Sequence, residues 1–290
     1  MSKVEEADIE AFREMLYAEE MSGNTMEKYV RDVRRFAEYA GDKEITKALT
    51  LEYKAYLLEN FSVRSVNSYI VSLNRFLSFV GCDAAKVKTE KIQESVYEAE
   101  ERNLDRGEYI KLVRAASEKN NERLSMIMQT ICSTGIRISE LRYITVKTVK
   151  EGKAYIRNKG KNRLILIPDD MVVLLKKYIK KRGIKDGPVF VTRSGKPVDR
   201  SNICKEMKKL CQVAGVNEKK VFPHNLRHLF ARIFYKKTGD IAKLADVLGH
   251  SRIDTTRIYI KTTSREHKRL LDRMELVIGN VTEKHPYENV

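Results

Sequence analysis

Apolar residues recur every three to four positions along most of this chain, which is the spacing that places side chains on one face of an α-helix. The first hundred residues contain three such stripes, and the first is formed by Ile9, Phe12 and Leu16. The other two consist of Tyr29, Val33, Phe36 and Ala40, and of Val66, Tyr69, Leu73, Phe76 and Val80. Hydroxyl or amide side chains at 22–25 and 62–65 are suited to cap the predicted helices. Residues 1–85 are therefore predicted to form a small all-helical domain.

After residue 85 the pattern predicts a linker and a second domain. Residues 83–103 are polar and have no apolar period, so we place a linker at 86–103 and a second domain at 104–290. Asp105 is suited to cap its first helix, and Gly135 to end the next. Two strand-like segments then flank a turn at 158–162, which predicts a hairpin between residues 149 and 167. Further helices are predicted at about 170–182, 201–214 and 225–237, in two short pieces within 240–259, and at 264–278.

The composition fits two folded domains. A chain of 290 residues is longer than one core usually organises, and its 42% apolar residues are enough to bury one. No stretch approaches the roughly 18 to 20 apolar residues of a membrane helix, and the start MSKVEEADIE is unlike a secretory signal, so we expect a cytoplasmic protein. The four cysteines are scattered and form no C-x-x-C pair, which favours reduced, structural thiols. The predicted fold class is mainly α with a small antiparallel sheet.

The net charge of +16 is unevenly distributed. Residues 1–100 carry 14 basic and 19 acidic side chains, a balance of −5, whereas residues 101–290 carry 42 and 21, a balance of +21. A strongly basic domain favours a polyanionic partner, and nucleic acid leads that class. A solvated surface or an anionic membrane face stays open from charge alone. Residues 1–24, with seven acidic and two basic side chains, are predicted to face protein rather than DNA.

Two faces of the first domain are candidates for DNA contact. One carries Lys28, Arg31 and Arg35, and the other carries Arg64, Asn67, Asn74 and Arg75. Both lie opposite apolar stripes, so they are either ordinary solvated faces or surfaces laid against a phosphate backbone.

Four separated segments of the second domain concentrate polar residues where apolar ones are expected. They are TGIRISEL (134–141), NKGKNR (158–163), PHNLRHLF (223–230) and LGHSRIDTTRIYI (248–260). In this order they resemble the catalytic motifs of the tyrosine recombinase, or phage integrase, family. The helical front half also resembles the SAM-like core-binding domain of that family. The resemblance implies a two-domain DNA clamp with an α+β catalytic domain, acting on double-stranded DNA.

The resemblance assigns a role to six residues of this chain. It implies that Arg137, Lys159, His224, Arg227 and His250 are catalytic and that Tyr259 is the nucleophile. Glu140 matches the acidic position beside the first arginine, and its i to i+3 spacing predicts that it holds the guanidinium in place. Lys161 and Arg163 are further candidates for DNA contact, and Lys161 is the alternative to Lys159 as a proton donor.

This set of residues suits phosphoryl transfer without a metal or cofactor. Guanidinium groups can hold the nonbridging oxygens of a phosphodiester, where negative charge builds during attack. A tyrosine phenol stays protonated at neutral pH and needs a proton acceptor, for which His224 is the candidate. Lys159 could protonate the departing 5′-oxygen, and His250 could hydrogen-bond the phosphate or steady the site. The resemblance implies a 3′-phosphotyrosyl intermediate.

Each of these residues also has an ordinary interpretation. Arg137 could be a salt-bridged surface group, Lys159 a solvated hairpin lysine and Tyr259 a core residue. His224 and His228 at i and i+4 could suggest a zinc pair, but the glutamate of H-E-x-x-H is absent. All of these explanations must hold at once to replace the recombinase interpretation, so the conjunction of motifs favours a DNA-cleaving enzyme and no metal site.

Several alternatives remain at the level of function and assembly. A DNA-binding regulator that does not cleave and a type IB topoisomerase are the competing classes. Among recombinases, the short front domain favours an Xer-type enzyme or a compact integrase of a mobile element. In the family the region of 264–290 typically packs on a neighbouring subunit, which implies a tetramer on two duplexes, but its apolar stripe could instead fold back. We expect a nucleoid location, and a role for an accessory protein stays open.

Overall fold

The computed structural model describes residues 3–92, 103–158, 161–192, 194–259, 268 and 271–274. It contains two compact units, which comprise residues 1–94 and 95–290. The architecture is mainly helical with a two-stranded antiparallel sheet, as the sequence predicts. No helix in the described ranges is both long and apolar enough to cross a membrane.

The first unit is a bundle of helices packed through the predicted stripes. Its four helices are α1 (Glu6–Ala18), α2 (Gly23–Ala40), α3 (Lys47–Asn60) and α4 (Val63–Phe79). Phe12 of α1 meets Phe76 of α4 edge to face at a centroid distance of 5.4 Å. The predicted stripes are therefore confirmed as the core of this unit.

The first part of the predicted linker packs onto this unit. After a 3-10 turn at Asp83–Ala85, Val87 is buried against the helical core. The side-chain amide of Asn67 donates to the carbonyl of Glu90 at 2.8 Å and accepts from its N–H at 2.8 Å. Asn74 holds Val87 in the same two-bond manner. Residues 83–92 therefore differ from a free linker, because two amide side chains of α4 satisfy their backbone groups.

The second unit surrounds one large apolar core. Its helices are α5 (Arg106–Glu118), α6 (Glu122–Thr134), α7 (Val146–Glu151), α8 (Asp169–Arg182), α9 (Arg200–Lys208), α10 (Cys211–Ala214), α11 (Pro223–Thr238), α12 (Ile241–Leu248) and α13 (Ile253–Arg257). A 3-10 helix covers Ile138–Tyr143. The strands are β1 (Lys153–Asn158) and β2 (Lys161–Leu166). Helices α6 and α11 pack against each other, which brings the segments after Gly135 and around His224 together.

The predicted start of α5 and end of α6 are confirmed. Asp105 accepts from the N–H of Glu108 at 2.8 Å, and the Glu108 side chain accepts from the N–H of Asp105 at 3.0 Å. This reciprocal pair is a capping box that satisfies helix N–H groups without other partners. Gly135 ends α6 in the left-handed conformation with φ of 66°, which glycine adopts without a steric penalty.

The hairpin forms, but its bounds differ from the predicted ones. Residues 149–151, predicted as strand, are the end of α7, because Thr145 caps that helix and Gly152 ends it at φ of 68°. Pairing continues beyond the predicted strand ends to Asn158 and Lys161, so the turn is shorter than the predicted 158–162.

Two other predictions differ from the structure or lie outside it. The helix predicted at 201–214 begins at Arg200 and is divided, because the N–H of Leu210 bonds to the carbonyl of Met207 at 3.0 Å and tightens the chain there. The predicted helix at 264–278 lies mostly outside the described residues. Within it, Leu271 and Met274 are exposed.

Candidate active site

Arg137, the first arginine that the sequence predicts to be catalytic, forms a closed pair with Glu140. The backbone N–H of Arg137 donates to Glu140 Oε2 at 2.7 Å, and Arg137 Nη1 donates to Glu140 Oε1 at 3.0 Å. Glu140 is buried, whereas the Arg137 side chain is 37% exposed. The predicted contact between them is present, but it lies at the start of a 3-10 helix, where Glu140 also accepts from the backbone N–H of Arg137, rather than on an α-helix face. Glu140 thus fixes the backbone and Nη1 of Arg137, and the other N–H donors of the Arg137 guanidinium face outward.

Arg227, the second arginine that the sequence predicts to be catalytic, is buried and held by backbone carbonyls. Arg227 Nη1 donates to the carbonyl of Gly135 at 2.5 Å, and Nη2 donates to the carbonyl of Leu248 at 2.8 Å. It is 1% exposed. Its Nε is buried and has no hydrogen-bond partner in the part of the chain that the structure describes. The C-terminal ends of the helices α6 and α12 therefore fix the plane of the Arg227 guanidinium.

Gly135 is required at this position by a close approach as well as by its backbone conformation. A Cβ on Gly135 would lie 2.4 Å from Cδ1 of Phe230 on α11. Without a side chain, the end of α6 packs directly against α11, and the Gly135 carbonyl reaches Arg227. The glycine of the TGIR motif thus determines the position of an acceptor for the second arginine.

His250 connects Arg227 to the segment that precedes Tyr259. Its Nε2 lies 3.0 Å from Nη2 of Arg227, and its Nδ1 lies 2.9 Å from Oγ1 of Thr256. Because arginine can only donate, Nε2 of His250 accepts and Nδ1 carries the proton. Both ring nitrogens are therefore used within the protein, which favours the steadying role over the phosphate-bonding role that the sequence left open.

Tyr259 lies beside the histidines of its own chain. Its hydroxyl is 3.4 Å from Nε2 of His224, and its ring is 4.4 Å from the ring of His228 and 5.5 Å from that of His250. The Arg227 guanidinium carbon is 6.0 Å from the centre of the Tyr259 ring. Tyr259 follows α13, where its N–H bonds to the carbonyl of Thr256 at 2.9 Å. The phenol is therefore placed next to a proton acceptor and a cation.

The site holds its histidines in the neutral form. Burial, reinforced by the charges of Arg227, Arg137 and Arg163, lowers the pKa of His250 to about 4. Burial together with His224, Arg227 and Arg232 likewise lowers the pKa of His228 to about 4. His224 lies at the exposed rim, and partial desolvation with nearby arginine charges also lowers its pKa. At neutral pH His224 is therefore unprotonated and able to accept a proton.

Arg163 is buried inside the site. Its side chain is 9% exposed, and Nη1 donates to the carbonyl of Leu248 at 2.8 Å and to Glu140 Oε2 at 3.4 Å. Burial lowers the pKa of Arg163 to about 10, so it remains a cation at neutral pH. The predicted DNA contact by Arg163 conflicts with this position, because its donors face the protein interior.

The positive charge of the site exceeds its negative charge. The charges of Arg137 and Arg227 lower the pKa of Arg163, so the three guanidinium groups lie close together. Among the described residues, Glu140 is the one carboxylate paired with this group of arginines. Three guanidinium groups with one carboxylate leave an excess of two positive charges. A phosphodiester carries one negative charge and gains a second as an oxygen attacks it, so a site with excess positive charge stabilises a phosphoryl-transfer transition state.

A cleft opens at the exposed side of Arg137. Its lining includes Arg137, Ser139, His224, Arg227 and Arg200, and the last of these was not predicted from the sequence. Arg200 is exposed at the start of α9, and its charge contributes to the lowered pKa of His224. An arginine directly after an N-terminal cap residue, Asp199, is an ordinary pattern, so no sequence signal marks Arg200 as part of the site.

The remaining predicted site residues have less informative positions. Lys159 lies outside the described residues, as does the side chain of Lys161. In the first unit, Arg31 and Arg64 are exposed, and the buried Asp32 pairs with Arg31 at 3.8 Å and with Lys28 at 2.6 Å. The others are engaged within the unit, since Arg35 donates to the Tyr69 hydroxyl at 2.7 Å, Asn67 holds Glu90 and Arg75 pairs with Glu19. DNA contact by these residues stays a prediction.

The described residues contain no cluster of three or more histidine, cysteine, aspartate or glutamate side chains that could hold a metal ion. His224 and His228 have their rings 4.8 Å apart, edge to face. Both rings also contact Tyr259, at 5.7 Å and 4.4 Å. The pair is thus part of the wall around the phenol.

Comparison with known families decides the class of this protein. The family model described as "Phage integrase family" matches residues 102–266, and that described as "Phage integrase, N-terminal SAM-like domain" matches residues 9–80. The chain belongs to the phage integrase family. The two matches correspond to the two units of the chain, and the match at 102–266 contains Arg137, Lys159, His224, Arg227 and the other motif residues, including Tyr259.

Individual relatives agree with this assignment. The chain is 28% identical over 279 residues to the tyrosine recombinase XerA of Pyrococcus horikoshii, with 93% of this chain and 94% of that protein covered. Its fold resembles that of a lambda integrase dimer bound to a COC′ core site, with a TM-score of 0.73, 16% identity and coverage of 91% and 97%. It also resembles a lambda integrase tetramer bound to a Holliday junction, with a TM-score of 0.70, 16% identity and coverage of 87% and 76%.

Proposed function

We propose that this protein is a site-specific recombinase that cleaves and rejoins double-stranded DNA through a covalent bond between Tyr259 and a 3′-phosphate. Membership of the phage integrase family supports the class of reaction. The observation that carries the assignment of residues is the position of the Tyr259 hydroxyl, 3.4 Å from Nε2 of the neutral His224 and next to Arg227. Nucleophile, base and cation come from one chain.

The chemistry follows from these positions. The Tyr259 oxygen attacks the phosphorus, its proton passes to His224, and the bond between phosphorus and the 5′-oxygen breaks. Arg137 and Arg227 stabilise the charge on the nonbridging oxygens. The departing 5′-oxygen takes a proton, for which the family resemblance implies Lys159. In the reverse step, the 5′-hydroxyl of a second strand attacks the phosphorus and gives its proton to the group that protonated the first 5′-oxygen. The bond between phosphorus and the Tyr259 oxygen breaks, and His224 returns the proton to the phenol.

The assembly we propose is a homo-oligomer on DNA, tetrameric when two duplexes are joined. The lambda integrase structures that this chain resembles contain a dimer on a core site and a tetramer on a Holliday junction. Exposed Leu271 and Met274 support packing of the C-terminal region on a neighbouring subunit. The Xer-type subtype, supported by the likeness to XerA, and a nucleoid location with or without an accessory protein are parts of the same proposal.

A capture experiment separates this function from its alternatives. Purified protein is incubated with fragmented DNA of the source organism in excess EDTA, the mixture is denatured, and covalent protein–DNA adducts are recovered and sequenced. We expect adducts to form in EDTA, because guanidinium groups supply the positive charge of the site. We expect these adducts at one or a few sequences, because the proposed enzyme is site-specific. Adducts spread over unrelated sequences, with relaxation of any supercoiled plasmid, would indicate a topoisomerase. Sequence-selective binding without any adduct would indicate a regulator.

Arg200 provides a test of the cleft. We expect Arg200→Gln to weaken DNA binding and to lower the dependence of affinity on salt by about one counterion, because an exposed guanidinium that meets phosphate is lost. The cleavage rate should fall as the pH is lowered, and in Arg200→Gln this fall should begin at a higher pH than in the wild type. His224 must be neutral to accept a proton, its pKa is lowered in part by Arg200, and removal of that charge raises it.

The control for Arg200 is Lys205→Gln, which removes an exposed charge from α9 outside the cleft lining. It should leave the pH profile of cleavage unchanged. Equal profiles for Arg200→Gln and the wild type, measured under single-turnover conditions from pH 5 to 8, would contradict the role of His224 as base or that of Arg200 in the cleft. Arg200→Lys should restore most of the profile, since it keeps the charge.

A further inference from the structure

Arg163 touches the supports of both catalytic arginines. Its Nη1 donates to Glu140, the carboxylate that holds Arg137, and to the carbonyl of Leu248, which also accepts from Arg227. These contacts join β2, the 3-10 helix after α6 and the end of α12. A shift of the Arg163 side chain therefore moves an acceptor of each arginine.

The chain makes room for this side chain at one point. Gly249 follows α12 with φ of 67°, and a Cβ there would lie 2.4 Å from Cδ of Arg163. The absence of a side chain at Gly249 allows Arg163 to pass beside the end of the helix and reach the carbonyl of Leu248. The fold thus leaves room for a side chain as long as that of arginine at position 163.

We propose that Arg163 is a positioning residue for strand cleavage, which orients Arg137 and Arg227 through the acceptors that it shares with them and adds a buried positive charge behind the phosphate site. The inference rests on the proposed function. It assigns to the second motif segment, NKGKNR (158–163), a task other than presenting Lys159, and it replaces the DNA contact that the sequence predicted for Arg163.

The contacts of Arg163 argue against a purely structural role. Burial of a charge carries a large desolvation penalty, and replacing buried charges with apolar groups of similar volume often stabilises a protein. Arg163 keeps Nε and Nη2 buried without hydrogen-bond partners in the described part of the chain, and two of its neighbours are cations. An arginine placed only for stability would be better satisfied. Its charge is useful where an anion must be stabilised nearby.

The first test compares cleavage with binding. A nicked suicide duplex carrying the captured recombination sequence is cleaved under single-turnover conditions by the wild type, Arg163→Gln and Lys153→Gln, the last being an exposed lysine on the same hairpin. For Arg163→Gln we expect a cleavage rate lower by about 100-fold, the size typical for loss of one preorganised donor. We expect unchanged DNA affinity and salt dependence, because Arg163 does not meet phosphate. Lys153→Gln should cleave at the wild-type rate.

The second test uses the same duplex with a methylphosphonate at the scissile position, which lacks the negative charge. Within Arg163→Gln, the ratio of the methylphosphonate rate to the phosphodiester rate should rise at least about tenfold over the wild-type ratio, because the uncharged substrate depends less on the arginines. Misfolded protein lowers both rates equally and cancels in this ratio. Arg163→Lys, which keeps the charge, should give a smaller rise.

Three outcomes would overturn the inference. An unchanged ratio with both rates lowered would mean that Arg163 only supports the fold. Lower affinity with a salt dependence reduced by about one counterion would mean that it contacts DNA. Wild-type cleavage by Arg163→Gln would mean that it does neither. All three require a wild type that cleaves, so failure of the proposed function is recognised separately by the absence of any wild-type adduct.

Discussion

Tyr259→Phe should abolish the covalent protein–DNA adduct. The substitution removes the attacking oxygen, and the expected loss of cleavage is on the order of 10⁴-fold or more, as for removal of other enzyme nucleophiles. DNA affinity should stay near that of the wild type, because the hydroxyl contacts His224 within the protein. The measurement is the fraction of a nicked suicide duplex that migrates with denatured protein.

The structure supplies a matched control for this substitution. Tyr235 packs against the same small apolar cluster as Tyr259, so Tyr235→Phe makes the same chemical change in the same surroundings. It should retain the adduct. The free energy of unfolding of Tyr259→Phe should fall by less than about 1 kcal/mol, since one hydrogen bond of 3.4 Å is lost. An adduct that survives in Tyr259→Phe would reject the nucleophile.

Local signals explain which parts of the fold the sequence predicts. The stripes of the first unit, the cap at Asp105 and the end of α6 at Gly135 all depend on residues within one or two helical turns. The position of β1 was less accurate, because Thr145 caps a short helix that the strand-like composition of 149–157 obscures. Such a competition between two local signals is decided by the surrounding structure.

The motif residues could be predicted as a group, but not their individual contacts. The proximity of Arg137 and Glu140 follows from their spacing, whereas the hydrogen bonds of Arg227 come from Gly135 and Leu248, which are 92 and 21 positions away. The sequence predicts DNA contact by Arg163, whereas the structure buries it. Its burial depends on the approach of Gly249, which no spacing along the chain reveals.

The second large effect concerns Arg227. Arg227→Lys keeps the charge but should still lower the rate of cleavage by about 10² to 10³-fold, the range for loss of a preorganised donor. A lysine ammonium is a single point of charge and cannot span the carbonyls of Gly135 and Leu248 while bonding His250. Lys236→Ala, at an exposed position of the same helix, is the control and should cleave normally.

Arg227→Ala should have a larger effect on cleavage and should also destabilise the protein. The carbonyl of Gly135 loses its Arg227 donor, whereas that of Leu248 keeps Arg163. A buried unsatisfied group costs about 1 to 3 kcal/mol, so the thermal midpoint of Arg227→Ala should fall further than that of Arg227→Lys. Because Arg227 and Tyr259 meet within one chain, a mixture of Arg227→Ala and Tyr259→Phe subunits should remain unable to form the adduct. Recovery of cleavage in that mixture would mean that the phenol acts in the site of another subunit, and that its position beside His224 is not the reactive one.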